Sequence, residues 1–181
     1  MNRSAKPLGC VLLALLLAAA SASVAADSDK TLHFSLPALA GGAPIELAQY
    51  RGKIVYLDVW ASWCTPCLRS MPELAALQEK FRDQPFAVVA VNVDKDATAA
   101  RAFLDRVGVH YPVAFDRDGQ QLRAGVLDDA DLAALPVAFL LDGSGSVRLV
   151  HRGYAPGQSA FLSEHIETLL AELRVESNSR R

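Results

Sequence analysis

Cysteine is scarce in this chain: three in 181 residues, at positions 10, 64 and 67. Three thiols cannot build a four-cysteine zinc site. The four histidines, His33, His110, His151 and His165, include no pair close enough in sequence to complete a mixed one. Positive charge is scarce too. Eighteen Lys and Arg against 20 Asp and Glu give a net charge of −2, with no basic run, so nothing favours nucleic acid. After residue 26 no apolar stretch approaches the ~20 residues that span a membrane. No internal repeat or low-complexity segment is present. What remains is an ordinary globular composition, 51% hydrophobic and 21% charged, sufficient for the core of one domain.

Residues 1–26 read as a secretory signal. Arg3 and Lys6 make a basic start, residues 8–20 are apolar, and residues 21–26 are small, with cleavage sites ending at Ala25 or Ala26. The apolar run is short for a span, so cleavage is expected, with an uncleaved membrane anchor as the alternative. Cleavage after Ala26 removes two basic residues and no acidic one, taking the net charge to −4. Cys10 leaves with that segment. The rest divides into a domain over 27–175 and a polar tail over 176–181 that should fray. Export places Cys64 and Cys67 where disulfides persist.

Residues 32–36 alternate as a short strand, Gly41-Gly42 turns the chain, and Ile45 returns it. Residues 53–59 and 86–93 are nearly continuous apolar runs, as in strands covered on both faces. Each leads into a helical pattern. The first runs from Cys64 to about Arg82, with Leu74, Leu77 and Phe81 on one stripe and Pro72 expected to kink it. The second runs from Asp96 or Thr98 to Val107, where Gly108 ends it. Strand, helix, strand, helix argues for a parallel core. Residues 113–115 make a short strand, Asp116-Arg117-Asp118-Gly119 a turn, and residues 120–124 begin a helix. Residues 137–141 and 147–151 form a hairpin. The last helix covers 158–175, with Leu162, Ile166, Leu169 and Leu173 on one face.

Cys64-Thr65-Pro66-Cys67 joins the first apolar strand to its helix. A Cys-x-x-Cys pair at such a junction reads as a thiol–disulfide redox site. Residues three apart in a first helical turn have Cα atoms roughly 5 Å apart, inside the window of about 4.4–6.8 Å a disulfide takes. The free N–H groups and positive dipole end of the helix favour a thiolate at Cys64. Cys64 is therefore the candidate nucleophile, and Cys67, one turn deeper, the thiol that resolves the mixed disulfide. An inert structural disulfide is the blander reading, but so small a loop constrains the unfolded chain little.

Trp60-Ala61-Ser62-Trp63-Cys64-Thr65-Pro66-Cys67 resembles the active site of the thioredoxin superfamily. Gly52-Lys53-Ile54-Val55 before it, and Leu135-Pro136-Val137-Ala138-Phe139-Leu140-Leu141-Asp142-Gly143 after it, resemble the TlpA-like and ResA-like exported reductases. The resemblance runs from about Leu32 to Leu173. It implies an α/β, thioredoxin-like fold: a central mixed sheet flanked by helices, with an N-terminal β-hairpin and a TlpA-like central insertion.

Asp58 is a lone carboxylate in an apolar string, six residues before Cys64. Burial would raise its pKa and let it take a proton from Cys67. Its spacing matches the buried aspartate of thioredoxin, and a solvated strand-end aspartate is the alternative. Many of the relatives carry a glutamate three residues after the second cysteine, where this chain has Ser70. Pro66 stiffens the active-site loop and, by resemblance, goes with reducing members. Pro136 resembles the cis-proline that faces the cysteines, and would expose the Leu135 backbone as an edge for a partner peptide. A trans proline starting a strand is the alternative. Trp63 reads as a surface platform for that partner. Residues 126–135 are longer than the matching link in the relatives and include Asp128, Asp129 and Asp131. They form either a helical turn capped by Asp128 or Asp129, or a recognition loop beside Cys64 that steers basic partners.

The reading that results is an exported, periplasmic thiol–disulfide oxidoreductase, a protein-disulfide reductase. Its partners are disulfide-bearing proteins and a membrane thiol reductant as electron donor. It needs neither cofactor nor metal and works as a monomer. Cytochrome c maturation is one role the resemblance implies. The alternatives are an oxidase that introduces disulfides on the same scaffold, and a Sco-like copper carrier, although those proteins space their cysteines more widely and add a histidine.

Overall fold

The computed structural model describes residues 31–125 and 127–179. The signal segment expected over 1–26, with Cys10, lies outside the described residues, as do Val126 and residues 180–181.

Strands β1 (Ser35–Leu36) and β2 (Ile45–Glu46) pair antiparallel. Their connection contains Gly41 and Gly42, both at positive φ, where side chains are disfavoured. The ladder is shorter than the strand expected over 32–36. The inward alternation still holds, because Leu32, Phe34 and Leu36 are all buried.

Strand β3 (Ile54–Trp60) is buried at every position, as its unbroken apolar run requires. Helix α1 (Thr65–Lys80) follows and buries Cys67, Met71, Leu74 and Leu77. It continues through Pro72, which supplies no N–H for the Leu68 carbonyl, and ends two residues before the expected Arg82. Strand β4 (Phe86–Asn92) is again fully buried and pairs in parallel with β3. Helix α2 (Ala97–Val107) starts where the Asp96 carboxylate accepts the Thr98 N–H, and stops at Gly108 in the left-handed region. Phe103 of α2 packs on Trp60 with ring centroids 5.7 Å apart.

Strand β5 (Val113–Phe115) pairs in parallel with β4. The expected turn after it is a 3-10 turn over Arg117–Gly119, leading into α3 (Gln120–Arg123). Helix α4 (Asp129–Ala133) fills much of the link that the sequence left between a turn of helix and a recognition loop. Strands β6 (Val137–Leu141) and β7 (Val147–Arg152) form the hairpin, and β6 lies antiparallel against β3. The sheet order is β5-β4-β3-β6-β7, the mixed sheet the resemblance implied.

Helix α5 (Gln158–Ser179) runs past the expected Val175. The Ser177 and Ser179 hydroxyls bond back to the carbonyls of Arg174 and Val175, local bonds that the polar composition of this stretch did not suggest.

Register fixes where the site lies. Val59 stands opposite Val137, Trp60 opposite Asn92, and Val137 opposite Arg152. The chain leaving β3, the chain leaving β4, the chain entering β6 and the chain leaving β7 therefore converge at one end of the sheet. That end is the carboxyl end of the parallel strands, where open α/β sheets place their sites.

Candidate active site

Cys64 is the N-cap of α1, in extended conformation, with Pro66 in the first turn. Cys64 and Cys67 form a disulfide with Cα atoms 5.3 Å apart, as the helical spacing requires. The Cys67 N–H donates to Cys64 Sγ at 3.2 Å. That sulfur thus sits against an N–H at the positive end of the helix, where negative charge is favoured. Cys67 is fully enclosed, Cys64 is buried at 4% exposure, and Trp63 beside it is 64% exposed. Ser70 is buried and its hydroxyl donates to the Cys67 carbonyl at 2.9 Å. It brings no acidic group to this turn.

Asp58 is buried on β3, between Ala90 of β4 and Ala138 of β6. The solvated alternative is thus excluded. Burial raises its pKa from 3.8 to about 7. Its Oδ2 is enclosed with no hydrogen-bond partner among the described residues. Strand alternation puts Tyr56 and Trp60 on the same face. The Tyr56 and Tyr111 hydroxyls are both pushed well above their ordinary range, first by burial and then by the Asp58 charge. Both phenols therefore stay protonated beside the carboxylate.

The Leu135–Pro136 peptide is cis, and both residues are buried. The Pro136 carbonyl accepts the Gly153 N–H at 2.8 Å. Next to Gly153, the Tyr154 hydroxyl donates to Glu73 Oε1 at 2.7 Å, and the Arg69 guanidinium lies 5.9 Å from the Tyr154 ring centroid. Arg69 and Glu73 are both on α1. The segment after β7 thus bridges the cysteine helix and the proline turn.

The three aspartates before Pro136 are not a free acidic loop. Asp128 caps α4 by accepting the Asp131 N–H at 2.8 Å, and Asp131 reciprocates towards the Asp128 N–H. Asp131 is buried and also accepts from Arg152 Nε at 2.8 Å, while Asp129 pairs with Arg123 at 3.1 Å. The plainer expectation, a helical turn capped by Asp128, is what the chain adopts, because these local bonds satisfy the carboxylates better than solvent alone would.

Sequence reasoning missed Asp94. It is buried, and it accepts the Ser62 N–H and a bond from Asn92 Nδ2 at 3.1 Å. The available signal was two polar residues, Asn92 and Asp94, alternating at the end of an apolar strand. Tyr111 and the Tyr154–Glu73 bond were also missed; these are contacts across the fold, without a local pattern. Among the described residues no group of three His, Cys, Asp or Glu is placed to hold a metal ion.

Comparison with known proteins agrees with this geometry. The Redoxin family model matches residues 26–166. The thiol-disulfide oxidoreductase ResA of Bacillus subtilis (strain 168) is 38% identical over 112 residues, covering 62% of this chain and 60% of that protein. The ResA of Geobacillus thermodenitrificans (strain NG80-2) is 32% identical over 169 residues, covering 88% and 92%. Among solved structures, a DsbE-type thiol:disulfide interchange protein from Chlorobium tepidum superposes with a TM-score of 0.70 at 38% identity, covering 79% of this chain and 96% of that one. A disulfide-bonded cysteine pair at the start of α1 and a family match over most of the chain lead to one assignment: the chain belongs to the Redoxin family and is a ResA-like thiol–disulfide oxidoreductase of the thioredoxin superfamily.

Proposed function

We propose that this chain is exported to the periplasm and reduces disulfides of partner proteins, as in cytochrome c maturation. The carrying observation is the placement of the pair: Cys64 caps the helix with its sulfur against the Cys67 N–H, next to the exposed Trp63, and Cys67 lies inside the first turn, fully enclosed. The Cys64 thiolate attacks a partner disulfide, forming a mixed disulfide and expelling one partner thiolate, which takes a proton from water. Cys67 then loses its proton, with Asp58 as acceptor, and attacks Cys64 Sγ. The second partner thiolate leaves, and the Cys64–Cys67 disulfide forms. Two electrons have passed to the partner. The structure corresponds to this oxidised product, and a membrane thiol reductant would return it to the dithiol.

The cis Leu135–Pro136 turn and exposed Trp63 support a role for Trp63, Pro66, Leu135 and Pro136 in holding the partner chain. The test is a redox titration of the pair against glutathione and dithiothreitol buffers. A potential near that of thioredoxin, about −270 mV, supports reduction, whereas one near about −120 mV would make the protein an oxidant.

A further inference from the structure

The face of the sheet that carries Asp58 holds three enclosed polar atoms with no hydrogen-bond partner among the described residues: Asp58 Oδ2, Trp60 Nε1 and the Tyr111 hydroxyl. Register places their residues together. Asp58, Ala90 and Val113 form one row across β3, β4 and β5, so their side chains share a face. Tyr111 lies two residues before Val113. There the Ala90 N–H donates to the Pro112 carbonyl at 2.9 Å, which keeps the chain alongside β4 and returns the Tyr111 side chain to the Asp58 face. The neighbours of Asp58 on either side are Ala90 and Ala138, whose methyl groups leave room beside the carboxylate. The Asp58 charge is felt at both the Tyr56 and the Tyr111 hydroxyl. Enclosed donors and acceptors of this kind, close together and unbonded to one another, are where an internal water is held.

Tyr111 also forms part of the wall of an open cavity of about 500 Å³, together with Ala40, Leu104, Asp105, Gly108 and Val113. This cavity lies by the C-terminal end of α2 and the amino end of β5. Cys64 lies past the carboxyl end of β3, at the other end of the parallel strands. A partner seated on Cys64 and Trp63 therefore leaves the cavity uncovered.

We propose that Tyr111 relays the proton of Asp58 to solvent through this cavity, by a route separate from the face on which the partner docks. The route rests on the proton transfer from Cys67 to Asp58 proposed above and supplies its second half. Once the Cys64–Cys67 disulfide has formed, Cys67 cannot take the proton back, and Asp58 must shed it before the next cycle. A hydroxyl is both donor and acceptor. That of Tyr111 accepts the Asp58 proton through the intervening water while its own proton passes to water in the cavity. One proton leaves the carboxyl, one enters solvent, and the tyrosine ends as it began. The two movements are concerted, because burial and the Asp58 charge both oppose a free phenolate at Tyr111. The other titratable groups along the route are Tyr56, which does not line the cavity, and Asp105, which is exposed on its wall.

The experiment follows the ionisation of Asp58 in the oxidised full chain after a stopped-flow jump from pH 5 to pH 8, and after the reverse jump. The readout is the infrared band of the protonated carboxyl group that Asp58→Asn abolishes. Tyr111→Phe keeps the ring and removes the hydroxyl. Ala40→Trp fills the cavity from an exposed turn and leaves Tyr111 in place. Both variants are expected to slow ionisation and re-protonation alike, by about tenfold, with the titration midpoint moved by less than about half a pH unit. A relay speeds both directions equally, whereas a group that only tunes Asp58 moves the midpoint. The forward jump is then repeated on the mixed disulfide that Cys67→Ser holds with a disulfide-bearing protein, where the rate is expected to stay within about twofold of that of the free protein. Unchanged rates in Tyr111→Phe overturn the proposal, and so does a midpoint shift large enough to account for the whole change in rate. A mixed disulfide that ionises as slowly as Tyr111→Phe would put the route through the docking face and overturn it as well. Ala40→Trp alone decides the matter if circular dichroism shows that Tyr111→Phe does not fold. Resolution of the mixed disulfide by Asp58→Asn at the wild-type rate would instead remove the transfer from Cys67, and this relay's role with it.

Discussion

Both carboxylate oxygens of Asp94 accept the Ser62 N–H, at 3.0 and 3.2 Å. The end of β4 is thereby tied to the turn that delivers Cys64. Asp94 is held in turn by Asn92, whose Nδ2 donates to it and whose Oδ1 accepts the Asp94 N–H. Removing the carboxylate leaves a part-buried N–H unpaired, which costs about 1–3 kcal/mol. Asp94→Ala is therefore expected to lower stability by roughly 2 kcal/mol in urea titration, and Asp94→Asn, which keeps an acceptor, by less than half of that. Equal losses for the two variants would show that the bond to Ser62 is not what Asp94 contributes.

The position of Cys64 at the helix cap, its sulfur against the Cys67 N–H, predicts the order of action of the cysteines. Cys64→Ser is expected to abolish exchange with any disulfide. Cys67→Ser is expected to accumulate mixed disulfides with partner proteins, because attack proceeds and resolution does not. Non-reducing gels of each variant incubated with disulfide-bearing proteins read this directly. Adducts on Cys64→Ser instead would reverse the two roles.

Asp131 joins two structural devices, the α4 cap and the pair with Arg152. Its carboxylate is 8% exposed and the Arg152 side chain 57%. The pair is thus neither a free surface bridge nor a fully desolvated one. A double-mutant cycle of Asp131→Ala and Arg152→Ala is expected to give a coupling of about 1 kcal/mol, with Asp131→Ala the costlier single change because it also breaks the cap. A coupling near zero would leave the Arg152 contact as incidental.

The parts of the fold that were legible in the sequence are those governed by local pattern. The buried runs of β3 and β4 showed in their unbroken apolar residues, the end of α2 in Gly108, and the cysteine pair in its spacing at a strand–helix junction. Asp58 was legible because a carboxylate inside Ile54-Val55-Tyr56-Leu57-Asp58-Val59 has no route to solvent once the strand is central. What escaped depends on register and on distant segments meeting. Asp94 carries no local signal of its partner, because Ser62 lies 32 residues away in sequence. Glu73 and Tyr154 are 81 residues apart in sequence. The acidic stretch before Pro136 offered two readings, and the Asp128–Asp131 capping box together with the distant Arg152 decides between them.

Asp58 supplies a pH dependence whose sign is fixed. In the folded protein it holds its proton up to about pH 7, whereas its ordinary value is 3.8. Between those values the native state binds a proton that the unfolded chain has released. Stability therefore falls as pH rises through that window. The penalty of ionising a buried carboxylate is absent below the lower value and complete above the upper one. Each pH unit is worth at most about 1.4 kcal/mol, and the group is half ionised near its folded value, so from pH 5 to pH 7 the loss is about 2 kcal/mol. Asp58→Asn removes the titrating group and keeps the shape. Other ionisable groups act alike in both proteins and cancel in the difference. Urea titrations of the oxidised forms from pH 5 to pH 8 are expected to show the variant gaining on the wild type as pH rises. The same substitution is expected to slow resolution of the mixed disulfide at pH 7 by roughly ten- to a hundredfold, since a positioned base is lost. That deficit should shrink at higher pH, where Cys67 loses its proton unaided. Parallel stability curves for the two proteins would show that Asp58 is already ionised in the fold, and unchanged resolution at pH 7 would remove it from the proton transfer.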